Sequence, residues 1–219
     1  MKQITFYFDF ISPYAYLAFE ALPQALQGIS HQVSCRPILF AGLLQHHGQL
    51  GPAEIPGKRE WTYRQVQWLA HQQGIALQMP PAHPFNPLQL LRLAWACDPQ
   101  GQPNRWVCET IFRHVWQGGE DPLDAHRLVA LRESLSPLLD PASAEVKQGL
   151  QAATQQAIAQ GLFGVPTVQV DDRLFWGFDA LQMLRAYLLN DPWFASGTWN
   201  DVSKLSLGIS RNRTAKTAI

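Results

Sequence analysis

Residues 6–18 read FYFDFISPYAYLA, and residues 163–170 read FGVPTVQV. The first stretch is a β-rich apolar run that stops at Ser12-Pro13 and continues with helical spacing. Serine is a favoured helix N-cap, and proline suits the first helical position because the N–H it lacks would have gone unpaired there. Ser12 is thereby expected where backbone N–H groups and the positive end of a helix dipole converge, a setting suited to an anion. The second stretch sets Pro166 between a glycine turn and a strand, where a cis bond in a tight turn is expected.

A strand–Ser–helix and a turn–Pro–strand have the form of the two halves of a thioredoxin-type active site with the redox pair missing. Ser12 stands at the first cysteine position of the usual Cys-x-x-Cys turn and Ala15 at the second, so neither a low-pKa thiolate nor a resolving thiol is available. At this point the chain resembles the 2-hydroxychromene-2-carboxylate isomerases and kappa-class glutathione transferases, within the wider disulfide-oxidoreductase-like superfamily. The resemblance runs over about residues 3–193 through three blocks, FYFDFISPYAYLA, PAEIPGKREW and GVPTVQVDDRLFWGFDALQML. It implies an α/β, thioredoxin-like fold with a large all-helical insertion, glutathione as the bound thiol, and a homodimer.

Composition narrows the remaining classes. The 219 residues are 47% hydrophobic, enough for a real core. Seventeen basic and 17 acidic residues cancel, so no polybasic field points to nucleic acid or an anionic membrane. No apolar run reaches the ~18 residues of a spanning helix. The N-terminus enters a strand at once, without the charged, apolar and small-residue succession of a signal peptide. Cys35, Cys97 and Cys108 are odd in number and lack metal-like spacing, which reads as reduced thiols in a cytoplasmic protein.

Periodicity sets the organisation. Strands are expected at Ile4–Phe10 and Val33–Phe40 around a helix over about 13–27, a βαβ unit. A hundred residues of amphipathic helices follow, punctuated by Pro80-Pro81, Pro84, Pro87, Asp98-Pro99 and Gly118-Gly119 and closing with a helix over Ala142–Gln160. The β pattern then returns at Thr167–Val170 and Leu174–Trp176 around an Asp171-Asp172 turn, before a last helix from Asp179 to Leu189. The expected division is a discontinuous thioredoxin-like domain (1–40 and 161–193), a helical insertion (41–160) and a flexible tail (194–219). The tryptophans, chiefly in the helical block, are expected in its core.

Ser12 carries the chemistry in this reading. A plain helix cap would suffice for a Ser-Pro after a strand, but the Val165-Pro166 partner is also present, and no Gly-x-Ser-x-Gly elbow or placed histidine marks a hydrolase nucleophile. By resemblance, the Ser12 hydroxyl hydrogen-bonds the glutathione sulfur and favours its thiolate. A thiol of pKa ~8.5 is only slightly ionised at neutral pH, and a charge-assisted bond plus a helix N-terminus lowers that by about one or two units. Val165, before Pro166, is expected to pair its peptide with the cysteinyl unit as an added strand edge. Trp176, Gly177, Phe178 and Asp179 match the place where the γ-glutamyl end is held, Asp179 facing its ammonium or capping the last helix.

The acceptor side is less defined. Lys58, after Pro56-Gly57, reads either as a group near glutathione or the substrate carboxylate, or as a solvated loop lysine. Asn86, in HPFNPLQLLR, either borders the opening or caps the helix after it. His46 and His47 are expected to line the cleft, and without a carboxylate at metal spacing they make no metal site. The resemblance implies a glutathione-dependent isomerase interconverting 2-hydroxychromene-2-carboxylate and trans-o-hydroxybenzylidenepyruvate in aromatic-hydrocarbon breakdown. A kappa-like transferase that conjugates electrophiles, and a non-catalytic thiol-peptide binder, are the alternatives. The partners are glutathione and a small aromatic keto-acid or electrophile.

Overall fold

The computed structural model describes residues 1–206 and Gly208. Strand β1 (Lys2–Phe8), helix α1 (Pro13–Ala25) and strand β2 (His31–Pro37) form the opening βαβ unit. Helices α2 (Phe40–His46), α3 (Lys58–Gln73), α4 (Leu88–Ala96), α5 (Arg105–Trp116), α6 (Ala125–Leu135) and α7 (Ala144–Ala159) follow. The chain then returns through β3 (Thr167–Val170), β4 (Arg173–Trp176) and α8 (Leu181–Leu188). The sheet order is β2-β1-β3-β4, with β1 parallel to β2 and antiparallel to β3, and β3 antiparallel to β4.

Both opening strands stop short of their expected ends, for a local reason. Asp9 turns its carboxylate onto Ile11 N (3.1 Å) and Phe40 N (2.8 Å), which ends β1 at Phe8 and engages the first residue of α2. The two faces of β1 feed separate clusters. Ile4, Phe6 and Phe8 enter the main core with Phe19 of α1, Phe112 of α5 and Leu184 of α8. Tyr7 joins Ile38, Leu43, Ala157, Leu162 and Val165 on the α2–α7 face. Phe112 lies within ring contact of Phe8, Phe10, Tyr16 and Phe19, so the helical block packs directly on β1 and α1. Side-chain caps start the later helices: Asn104, Asp124 and Ser143 accept from Val107 N, Arg127 N and Val146 N.

Two expectations need correction. The segment after 193 does not begin as a flexible tail. Short helical turns at Pro192–Ala195 and Val202–Lys204 flank helix α9 (Thr198–Asp201), and Phe194 and Trp199 pack against Phe175 of β4. The Arg173 guanidinium lies over the rings of Tyr187, Phe194 and Trp199 at 4.9–5.6 Å, so cation–π attraction adds to apolar burial. The rest of the expected tail, 207 and 209–219, lies outside the described residues. The tryptophans divide as well: Trp95 and Trp116 are core, whereas Trp61, Trp68 and Trp106 are exposed.

Candidate functional site

Register brings the two sequence motifs to one end of the sheet. Tyr7 pairs with Thr167, and Thr167 with Trp176, so the segments just beyond them, 9–12, 164–166 and 177–179, share that end. Ser12 caps α1: its Oγ accepts from Ala15 N at 3.2 Å, and Pro13 follows at the first helical position. That bond uses an oxygen lone pair and leaves the hydroxyl hydrogen without an acceptor among the described residues. Ser12 is 6% exposed, so its hydroxyl works close to the protein interior.

The loop ahead of Ser12 is fixed peptide by peptide. In the Phe10–Ile11 unit, the Phe10 carbonyl accepts from Trp116 Nε1 (3.0 Å) and the Ile11 N–H donates to Asp9 Oδ1 (3.1 Å). In the Ile11–Ser12 unit, the Ile11 carbonyl lies 2.7 Å from His83 Nε2, and the Ser12 N–H donates to the Asp9 carbonyl (3.1 Å). Each unit is held at both ends, once by Asp9 and once by a side chain from the helical block. Asp9 is fully buried; burial pushes its carboxyl up to about 7 against the opposing pull of the Phe40, Ile11 and Phe10 N–H groups.

The facing segment holds Pro166, with the Val165–Pro166 peptide cis. Thr167 Oγ1 closes the turn on the Gly164 carbonyl (2.7 Å), and the Pro166 carbonyl accepts from Gly177 N (2.9 Å). Val165 is buried by its side chain, yet its own N–H and C=O form no hydrogen bond among the described residues. Gly164 is required by close approach, since a Cβ there would sit 2.5 Å from Trp176 Nε1. Trp176 is about half exposed and stacks edge-on against Phe163 at 4.9 Å.

Gly177 takes a left-handed φ of 100°, turning the chain from β4 into α8, and Phe178 packs half-buried on the main core. Asp179 is exposed and does not cap α8, whose N-cap is Ala180 without a side-chain bond. Its carboxylate reaches Tyr14 electrostatically: burial raises the Tyr14 phenol first, and the Asp179 charge adds to that rise. Tyr14 Oη donates to Gln65 Oε1 (2.6 Å), so α3 is tied to the first turn of α1. Lys58 precedes Thr62 and Gln65 by four and seven positions, which puts it on that same side of α3.

The remaining candidates go elsewhere. Asn86 Oδ1 accepts from Leu88 N (3.1 Å), so it serves the start of α4. His47 Nε2 lies 3.0 Å from the Leu162 carbonyl and its ring meets His46 edge-on at 4.9 Å. His46 lines a cavity of about 300 Å³ with Gly42, Gln45, Gln155 and Ile158 at the α2–α7 seam. Both histidines close α2, which packs on α7 in the cluster that also holds Leu162 and the Val165 side chain. Sequence reading passed over Asp9, Tyr14, Tyr63, His83 and Trp116. Only Asp9 left a local signal, a carboxylate between Phe8 and Phe10 directly before Ser-Pro.

A mixed four-stranded sheet with a helix springing from a capped serine opposite Pro166 defines a thioredoxin-type fold without the redox cysteines. The DsbA-like thioredoxin domain model matches residues 3–189. The chain is 31% identical over 201 residues to the 2-hydroxychromene-2-carboxylate isomerase of Sphingobium xenophagum, spanning 86% of this chain and 99% of that one. It is 25% identical over 212 residues to glutathione S-transferase kappa 1 of Rattus norvegicus, spanning 88% and 92%. A solved 2-hydroxychromene-2-carboxylate isomerase superimposes with a TM-score of 0.71 at 24% identity, over 91% of this chain and 98% of that one. The chain belongs to the DsbA-like thioredoxin family and, within it, is an enzyme of the group that holds the 2-hydroxychromene-2-carboxylate isomerases and the kappa-class glutathione transferases.

Proposed function

We propose that the protein is a glutathione-dependent isomerase acting on 2-hydroxychromene-2-carboxylate or a close aromatic keto-acid. One observation carries the reading: an unspent Ser12 hydroxyl hydrogen and an unpaired Val165 peptide stand at the same end of the sheet, in a turn that holds no cysteine. A peptide thiol meets both needs at once, a backbone partner for Val165 and an acceptor for Ser12.

Bound glutathione supplies a thiol whose addition to a conjugated enone, followed by elimination, lets the former double bond rotate and leaves the thiol unchanged. The chain's residues set the conditions for it. Ser12 donates to the sulfur, and the N-terminus of α1 adds positive potential, so the thiolate is favoured at neutral pH. Asp179, whose carboxylate has no hydrogen-bonded partner among the described residues, offers a counter-charge for the γ-glutamyl ammonium beyond Gly177, with Trp176 and Phe178 on either side of that glycine. Lys58 makes no ion pair among the described residues, and it suits a carboxylate of glutathione or of the keto-acid. Free cysteines fit a cytoplasmic setting, and the exposed Trp61 and Trp68, one heptad apart on α3, offer apolar area to a second copy in a homodimer.

A kappa-like transferase would use the same binding set, so stoichiometry decides. Incubated with glutathione and 2-hydroxychromene-2-carboxylate, the protein is expected to convert the chromene, followed by ultraviolet absorbance, with no loss of titratable thiol. Conversion matched by thiol loss identifies a transferase, and no conversion with unchanged melting at millimolar glutathione removes both readings.

A further inference from the structure

We propose that His83 is a positioning residue: through the Ile11 carbonyl it sets the orientation of the peptide unit that delivers Ser12 to the bound sulfur. The proposal rests on the glutathione reading of Ser12. A peptide unit turns as one rigid plane, so an atom pinned at its carbonyl end fixes its N–H end as well. The plane that opens Ser12 has its N–H on the Asp9 carbonyl at 3.1 Å and its oxygen on His83 Nε2 at 2.7 Å. Asp9 holds the N–H end from within the loop, itself anchored to Phe40 N of α2. His83 holds the oxygen end from 72 residues away in sequence, between α3 and α4, and so ties the plane to a second, independent frame.

The tautomer is determined by the partners. A carbonyl oxygen only accepts, so Nε2 carries the hydrogen and Nδ1 is the acceptor in the neutral ring. Tyr63 Oη shares its one hydrogen between Nδ1 (2.7 Å) and His83's own carbonyl oxygen (2.9 Å), holding the ring from the α3 side. The imidazole also contacts Phe85 and Trp116, and Trp116 secures the preceding peptide unit through Phe10. Burial lowers the His83 pKa, keeping the neutral form in place at physiological pH. With both nitrogens occupied, the ring has no free atom for proton transfer to a substrate, so its contribution is to geometry.

The test uses glutathione itself as probe and needs no acceptor: the far-ultraviolet absorbance of the bound thiolate is titrated against pH in the full-length protein and its variants. His83→Leu is expected to move that titration to higher pH and to lower kcat with 2-hydroxychromene-2-carboxylate by at least about tenfold, with KM for glutathione changing less than about threefold. His83→Gln, which keeps an N–H donor near the Nε2 position, is expected to restore most of both. An unshifted thiol titration in folded His83→Leu, or a His83→Gln variant as impaired as His83→Leu, overturns the proposal. Should His83→Leu fail to fold, Tyr63→Phe decides: it removes the hydroxyl that holds the ring from the α3 side and is expected to lower kcat severalfold, and wild-type kcat there overturns the proposal. If the wild-type protein shows no bound-thiolate signal at all, it is the glutathione reading that falls.

Discussion

The α1 face and the α2–α7 face of the same sheet each gather residues of the kind that carry chemistry, and they use them oppositely. On the α1 side, Ser12 and Asp179 keep polar groups unspent, as does the peptide of Val165, whose side chain belongs to the α2–α7 cluster, while Asp9, His83 and Trp116 consume theirs in fixing the loop before Ser12. On the α2–α7 face, His47 gives one ring nitrogen to the Leu162 carbonyl and meets His46 edge-on, and both rings are exposed. Residue type does not separate the two faces. What separates them is burial: the leftover Ser12 hydroxyl is 6% exposed, whereas His46 and His47 stand in solvent.

The largest effect that breaks this comparison is expected from Ser12→Ala. On the proposed reading the variant loses the side-chain donor to the sulfur and keeps the other contacts to the tripeptide. Turnover should fall about 100- to 1,000-fold, with glutathione affinity largely kept, and the pH–rate profile should move to the alkaline side. Steady-state kinetics across pH at saturating glutathione checks it; full rescue by excess glutathione would return Ser12 to a binding role.

An intermediate effect concerns Asp9, whose folded pKa near 7 lies above its unfolded value near 3.8. Across that interval the native state holds a proton that the unfolded chain has released, so Asp9 weakens the fold progressively as pH rises from about 4 to about 7. The stability of wild type relative to Asp9→Asn, from denaturant unfolding at several pH values, should therefore decline over that range and level off above it. A flat difference would show that the loop's N–H donors already hold Asp9 ionised.

The smallest effect belongs to the other face. His47→Ala removes one bond to a loop carbonyl and should cost about 1 kcal/mol of stability while leaving turnover within about twofold of wild type. Thermal unfolding and the chromene assay together sharpen the contrast with Ser12, and a large kinetic loss would bring the α2–α7 face back into the site.

Much of this was legible in the residues because it is local. The βαβ opening, the returning β3–β4 hairpin and the Ser12 cap each follow from signals within a few positions of one another. His83 and Trp116 were not legible, because what defines them is a carbonyl 72 or 106 residues away, and nothing in a histidine between prolines or a helix-end tryptophan names that acceptor. Asn86, expected either to border the opening or to cap the helix after it, accepts from Leu88 N just ahead of α4, while His83, three residues earlier, reaches the loop. The segment after Trp193 read as polar and loose because its two anchors, Phe194 and Trp199, look sparse in sequence. Arg173 on a neighbouring strand supplies the third surface that makes them sufficient.

The doubly pinned loop also has a consequence for the order in which the molecule assembles. Beyond its two local bonds to Asp9, its ties span 31, 72 and 106 positions, and none of these can form from local chain alone. Closing such long spans is paid for before any contact returns stability, which places them late in folding. The sheet and α1 can therefore exist with Ser12 still unaimed, and the loop is set only once α2, α5 and the 83–87 segment have docked. By the same logic a slight loosening of the helical block releases the serine first, and activity becomes a finer gauge of that block's docking than any measure of secondary structure.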